Sequence, residues 1–493
     1  MSVTPPGGGR PGSARLKREV LGTGGVVFLV LAAAAPLTVL AGVAPLAIFV
    51  GGIGAPVAYL AAGAVFIVFA VGFTAMTRHT AGDGAFYSYI TLGLGRTVGM
   101  ASGLLAVVAY NALQIGVYGL LAAQVRSAVE SFAGLTLPWP GIALLAVILV
   151  GVVGRQGIDV GARLLGILLI AESAILALLA ISVVVQGGND GLSVQSFSAD
   201  AVFAPGMAGV LAFGFAAFMG FESTAVYRSE ARDPGRTISR ATYVAVVFLT
   251  VFYGFVVWAV IQAFGDANVV AASDDDAAGL FFNAIEQYVG IWASDLMHVL
   301  VLSSIFASQV ALHNAINRYT YSLARDGVLP SVLARTHPVH HSPRVAGAVQ
   351  SVLAGAVILA FAAAGADPYL QLLLLVNTPG VVGIIVLQLL TSVAVVAYFV
   401  RNRRTVSAPV STAFALLAAV LLTAALVLLV AKIDLLTDAG TAVNVWLVGL
   451  VPLTLLGGVV AARIVRRRLP HVYARVGALH DVCEEDASAP RAR

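Results

Sequence analysis

The residues with the strongest claim to chemistry lie in one apolar stretch, Phe213 to Pro234 (FGFAAFMGFESTAVYRSEARDP), which carries Gly214, Gly220 and Glu222 before its first charged loop. Two such glycines weaken a helix and let a ligand or a neighbouring helix approach its backbone. A carboxylate inside an apolar segment is costly unless it faces a cavity or a partner, so Glu222 marks a candidate site. Plain helix packing, with Glu222 satisfied by neighbouring hydroxyls, is the competing account. A second carboxyl group in a comparable setting is Glu172, nine residues beyond Arg163. At about 1.5 Å per residue it sits roughly 13 Å along its helix from that arginine. A carboxyl group at that depth can take up and release a proton, or simply hydrogen bond to Ser173 or to a neighbouring helix.

Other polar residues stand at helical spacing inside apolar runs. Tyr110 and Gln114 are one turn apart, with Asn111 beside them, and can face one cavity or bond across helices. Ser304 and Ser308 have the i, i+4 spacing of a hydroxyl pair for a sodium ion, although serines in such helices commonly bond back to their own carbonyls. His313 and Asn314 follow on the same run, where a packed histidine is the simpler expectation. Asn377, Thr378 and Pro379 predict a break in a later run, as a gate or as a packed kink. Arg228, Glu230, Arg232, Asp233 and Arg236 form a mixed-charge loop, read either as a latch whose pairs break when a gate opens or as a solvated loop. No phosphate-binding loop, metal-ligand spacing or catalytic triad is present in the sequence, so neither an enzyme nor an ATP-driven pump is indicated, and no cofactor or metal is expected.

The elements that must position these groups follow from composition. The chain has 493 residues, 59% of them hydrophobic and 11% charged, with a mean hydropathy of +0.95. That is the composition of an all-α polytopic membrane protein, with the lipid bilayer as its surroundings. The single cysteine, Cys483, excludes an intramolecular disulfide. The basic residues lie in short loops between apolar runs, which argues for topology signals rather than nucleic-acid binding. Apolar runs of about twenty residues predict twelve transmembrane helices, at 24–48, 54–77, 98–125, 138–155, 164–185, 204–227, 240–263, 292–317, 345–364, 370–400, 409–430 and 442–465. The semi-polar stretch 82–96 is expected to extend the third span, and the 264–290 loop to hold a short surface helix ending near Tyr288. With both termini cytoplasmic, 26 of the 28 Lys and Arg residues fall inside, leaving Arg126 and Lys432 outside. Residues 1–20 read as a disordered cytoplasmic tail and 469–493 as a cytoplasmic C-terminal tail.

Helix breakers recur at mid-depth in the first and sixth spans. In VLAAAAPLTVLAGVAPL, Pro36 removes an N–H and disfavours helix at Ala35, and the sixth span is expected to break between Gly214 and Gly220. A break recurring five spans later points to an inverted repeat, with a substrate site where the two breaks meet. The repeats would be 21–187 (TM1–TM5) and 200–403 (TM6–TM10), with 407–468 supplying two extra helices. Substrate would lie between Ala35, Pro36, Leu37 and Thr38 on one side and Phe215, Ala216, Ala217, Phe218 and Gly220 on the other, near Tyr110 and Gln114.

The stretch FAAFMGFESTAVYRSEARDPGRTISRA resembles the sixth span and following loop of the amino acid/polyamine/organocation permeases. NRYTYSLARDGVLP (317–330) is similar to the end of that family's eighth span, and GDGAFYSYITLGLGR (82–96) to the entry of its third. The resemblance implies the LeuT-type fold of five plus five inverted helices. It further implies a secondary transporter in the plasma membrane that moves an amino acid or related amine by alternating access. A polyamine or organic-cation permease, an amino acid exchanger, and a channel or sensor on the same scaffold are the alternatives. The family's first span usually carries a Gly-x-Gly that cradles a substrate carboxylate. Here the stretch reads Ala35, Pro36, Leu37, Thr38, leaving the amides of Leu37 and Thr38 for that role. Relatives that run without sodium often carry a lysine in the fifth span. Glu172 stands at comparable depth here, and coupling to protons through Glu172, with Glu222 second, is the expectation.

Overall fold

The computed structural model describes residues 22–79, 85–155, 162–222, 224–225, 231–337, 342–406 and 408–476. The expected tail 1–20, with Arg228 and Glu230 of the loop latch, lies outside them. Among the described residues the protein is helical, with no strand. Its helices are α1 (Thr23–Ala34), α2 (Pro36–Gly42), α3 (Ala44–Gly51), α4 (Ala55–Thr77), α5 (Ala85–Leu94), α6 (Arg96–Ala133), α7 (Trp139–Val153), α8 (Ala162–Gln186), α9 (Ala199–Val202) and α10 (Met207–Ala217). Then follow α11 (Pro234–Phe264), α12 (Val269–Asp275), α13 (Leu280–Tyr288), α14 (Ile291–Arg325), α15 (Arg344–Ala363), α16 (Leu374–Arg401), α17 (Pro409–Ala431), α18 (Asp434–Thr437), α19 (Thr441–Arg468) and α20 (Pro470–Arg475). Ten stretches are long and apolar enough to cross a membrane, and α7 and α10 are shorter apolar helices. The chain is a multi-pass membrane protein.

The first break forms where the sequence places it. Pro36 has no N–H to give to the Ala32 carbonyl, so α1 ends at Ala34 and α2 begins at Pro36. Ala35 between them is buried at φ 46°, ψ 70°, a left-handed conformation costing a non-glycine residue about 1–2 kcal/mol. Surrounding packing must hold it there.

The sixth span breaks within the expected interval, toward its far end. α10 runs through Gly214 and ends at Ala217, and the turn to positive φ comes at Gly220, φ 109°. Gly214 serves packing instead: a Cβ there would stand 2.9 Å from the Ala58 carbonyl oxygen of α4.

Two expectations need correction. The 82–96 stretch does not extend the third span; α5 is a separate helix, ended at Gly95 (φ 91°) before α6 starts. Span ten is not broken at Asn377–Pro379, because α16 continues through Pro379, and the Thr378 hydroxyl donates to the Leu374 carbonyl at 2.8 Å. A π-helical turn over Pro368–Leu373 precedes it. Beyond residue 469 the chain forms α20, and Val476 is fully buried. The 264–290 segment holds two short helices, α12 and α13, and α13 ends at Tyr288 as read from the sequence.

Candidate functional site

The two breaks meet. Gly220 stands so close to α1 that a Cβ on it would lie 3.2–3.3 Å from the backbone of Ala33 and Ala34. Any side chain at that position would collide with the first break, and the positive φ would strain it as well.

Glu222 fastens the second break. Its Oε2 accepts from the Gly220 N–H at 3.0 Å, and its Oε1 accepts from the Tyr110 hydroxyl of α6 at 2.6 Å. The carboxyl group is 1% exposed. With both oxygens accepting, the arrangement suits a carboxylate. Tyr110 lies against the Tyr319 ring of α14 at 5.7 Å between centroids.

An aromatic cluster backs this turn. Phe66 of α4 touches Phe215, Phe218 and Phe221, at centroid distances of 5.4, 5.3 and 5.1 Å. Phe218 also meets Tyr253 of α11 edge-on at 5.6 Å, and Tyr253 meets Tyr59 at 5.9 Å. The hydroxyls of Tyr59 and Tyr253 are buried without a hydrogen-bond partner. Phe215, Ala217 and Phe218 are buried, and Ala216 is half-buried. Sequence reasoning missed Phe66, Tyr59 and Tyr253. The heptad spacing of Tyr59, Phe66 and Phe73 on α4 is the signal that places them on one helix face.

The other side of the first break is polar. The Thr38 hydroxyl donates to the Ser304 hydroxyl of α14 at 3.0 Å, and Ser304 and Glu172 of α8 line the same small cavity. Ser304, expected from its spacing with Ser308, thus joins α2 to α14 beside Glu172. A cavity of about 10 Å³ lies there, lined by Ala32, Leu168, Leu169, Glu172, Ser304 and Ala307. That volume admits about one water molecule. Ala32 is the residue whose carbonyl Pro36 leaves without its helical partner.

Gln114 is directed elsewhere. Its amide nitrogen donates to the Gln309 carbonyl at 3.1 Å, the Gln309 side chain donates back to the Gln114 carbonyl at 3.3 Å, and the Gln350 side chain donates to its amide oxygen. Gln114 therefore clamps α6 to α14 and α15. Asn111 bonds to the Val107 carbonyl of its own helix at 2.7 Å. His313 is a packed residue, buried between Gly154 of α7 and Gly347 of α15.

In the loop latch, Asp233 caps α11, accepting from the Arg236 N–H at 3.3 Å, and its carboxylate lies 3.8 Å from Arg236 Nε. Both side chains are well exposed, and Arg232 is exposed beside them. A pair so open to solvent contributes little.

Comparison with known proteins follows this geometry. An uncharacterised transporter of Mycobacterium tuberculosis is 31% identical over 156 residues, 32% of this chain and 33% of the relative. The lysine-specific permease LysP of Lactococcus lactis subsp. cremoris is 31% identical over 134 residues, 27% of this chain and 26% of that protein. The methylthioribose transporter of Bacillus subtilis is 26% identical over 273 residues, 52% of this chain and 56% of that protein. The chain thus spans about a third of the length of the mycobacterial relative it matches. The family described as amino acid permease matches residues 21–455. Two breaks meeting within an apolar helical bundle, and this match over most of the sequence, give one conclusion: the chain belongs to the amino acid permease family.

Proposed function

We propose that the protein is a secondary active transporter of the plasma membrane that moves an amino acid or related amine by alternating access, coupled to protons through Glu172. In this reading the chain crosses the membrane twelve times with both termini cytoplasmic. Residues 21–187 and 200–403 form the inverted repeats, 407–468 adds two helices, and 469–493 is cytoplasmic. Substrate lies between the breaks, its carboxylate toward the amides of Leu37 and Thr38, its amine toward the carbonyls around Ala216 and Ala217, with Phe215 and Phe218 closing the apolar side. Arg228, Glu230, Arg232, Asp233 and Arg236 act as the cytoplasmic latch. Gln114 holds α6 in place, and Tyr110 with Glu222 bars the path beside the second break.

The observation that carries the reading is that Thr38 of α2 donates to Ser304 of α14, and that Ser304 and Glu172 line one small cavity beside the first break. Across that cavity an ionised Glu172 draws the Ser304 hydroxyl proton toward it while Ser304 accepts from Thr38. A protonated Glu172 donates instead, and the Ser304 proton turns to a carbonyl of its own helix. The state of one proton thus sets how firmly α2 is tied to α14, at the point where the first span is broken. Binding a proton can in this way be linked to closure around substrate.

One observation favours a second reading of the substrate. Pro36 replaces the bare amides of a Gly-x-Gly, which suits a ligand without an α-carboxylate, and one relative is named a methylthioribose transporter. Uptake into proteoliposomes of lysine, histidine, other amino acids, polyamines and methylthioribose, each with and without an inward proton gradient, decides between them. Accumulation of one amino acid or amine only under the gradient is expected. A sodium requirement, or gradient-independent uptake of the sugar derivative alone, overturns the first reading.

A further inference from the structure

The last helix of the structure is tied to the start of α6. The Tyr473 hydroxyl of α20 and the Thr97 hydroxyl of α6 are 2.8 Å apart. Val472 seats against Gly327 at the turn after α14, where an added Cβ would come within 2.5 Å of it, and Val476 is fully buried. From the end of α19, the Arg466 guanidinium lies over the Tyr473 ring, 5.9 Å from its centroid. The ends of α6, α14 and α19 therefore share one face of the bundle. That face carries six exposed arginines: Arg96, Arg325, Arg463, Arg466, Arg467 and Arg468. Among the described residues none of the six is in an ion pair. Asp326, the carboxylate at the end of α14, is buried and accepts from the Tyr87 hydroxyl of α5 at 2.8 Å.

We propose that this arginine patch binds the anionic headgroups of membrane phospholipids, and that Arg466, through Tyr473, passes their occupancy to the corner between α5 and α6. Arginine forks pair bidentately with phosphodiester oxygens, and clusters of basic residues at the end of a membrane helix collect anionic lipid. Four of the six stand within α19's last two turns, on a helix whose flank is otherwise largely open to lipid. The neutral partner of Arg466, a tyrosine ring, leaves its N–H groups free for phosphate while the ring holds α20 in place. Headgroups gathered around Arg463, Arg467 and Arg468 fix the end of α19. α20 then stays docked on Thr97, one residue into the helix that carries Tyr110. The inference does not depend on the transported substrate, but it rests on the proposed placement of this face at the cytoplasmic leaflet.

The test uses the full chain in nanodiscs of phosphatidylcholine with increasing phosphatidylglycerol, reading hydrogen exchange of residues 470–476. Phosphatidylglycerol is expected to slow exchange there. The triple variant R463Q/R467Q/R468Q is expected to shift the lipid titration by about five-fold per arginine. Should the triple variant fail to give a monodisperse protein, R468Q alone serves, with a five-fold shift. Y473F is expected to keep the thermal stabilisation by phosphatidylglycerol while losing the slowed exchange. Exchange indifferent to phosphatidylglycerol, an unshifted titration in the arginine variants, or the same protection from inorganic phosphate in pure phosphatidylcholine would each overturn the proposal.

Discussion

The two breaks are built by opposite means. The first is made by a proline, which deletes the donor to the Ala32 carbonyl, and Ala32 lines a small cavity with Ser304 and Glu172. The second is made by a glycine at φ 109°, and there the carboxylate of Glu222 supplies what the helix lost by capping the Gly220 amide. One break has a surplus acceptor and hydroxyls around it. The other is capped from within and walled by phenylalanines. Under the proposed function the difference becomes a division of labour, with proton binding proposed at the first break and substrate closure at the second, and each half can be broken separately.

The largest effect is expected at the point where the breaks touch. Gly220→Leu places a side chain where even a Cβ has only 3.2–3.3 Å to the Ala33–Ala34 backbone. The left-handed φ adds about 1–2 kcal/mol of strain. Substrate binding is expected to weaken more than about ten-fold with the protein still monodisperse. Unchanged apparent affinity in a binding assay would move the site elsewhere.

Next comes Tyr110→Phe, which strips one oxygen of a buried carboxylate of its donor and is expected to destabilise by about 1.5–3 kcal/mol. A lowered thermal midpoint, recovered by the Glu222→Gln/Tyr110→Phe pair, would show that the loss is the unpartnered charge. If the single variant melts like the parent, the tie is not a strong one. Ser304→Ala sharpens the contrast. It leaves the Thr38 hydroxyl without its acceptor and is expected to remove about 1–2 kcal/mol, while hydrogen exchange rises around the first break and not around Gly220. Equal loosening at both breaks would contradict their separation.

The smallest effect belongs to the loop. Arg236→Glu reverses an exposed pair, and a change within about 0.5 kcal/mol is expected. Any effect on transport should then appear as an altered inward-open population in distance measurements, not as lost stability. A stability loss well above that value would mean the latch is structural.

Much of this was legible in the sequence because it rests on local covalent facts. Pro36 cannot donate, and the first break falls beside it. Hydropathy located apolar stretches, ten of which among the described residues form helices long enough to span, because a bilayer imposes their length. What escaped depended on three-dimensional neighbours. Gly214 and Gly220 look alike in the chain, yet only the second turns to positive φ, because Ala58 packs against the first and keeps the helix intact. Pro379 has the same chemistry as Pro36 but leaves α16 continuous. Gln114 shares a face with Tyr110 by spacing, but reciprocal bonding with Gln309 draws it to α14. The hydrogen bond from Thr38 to Ser304, and the cavity that Ser304 shares with Glu172, join residues more than a hundred positions apart, which no spacing reveals.

The central claim is that the proton on Glu172 drives accumulation. Glu172→Gln keeps the size and hydrogen-bonding capacity of the side chain while removing its titration. In proteoliposomes, the variant is expected to lose uptake against a substrate gradient under an inward proton gradient, and to retain counterflow exchange. Accumulation by the variant at the parent's level would show that Glu172 is not the proton carrier.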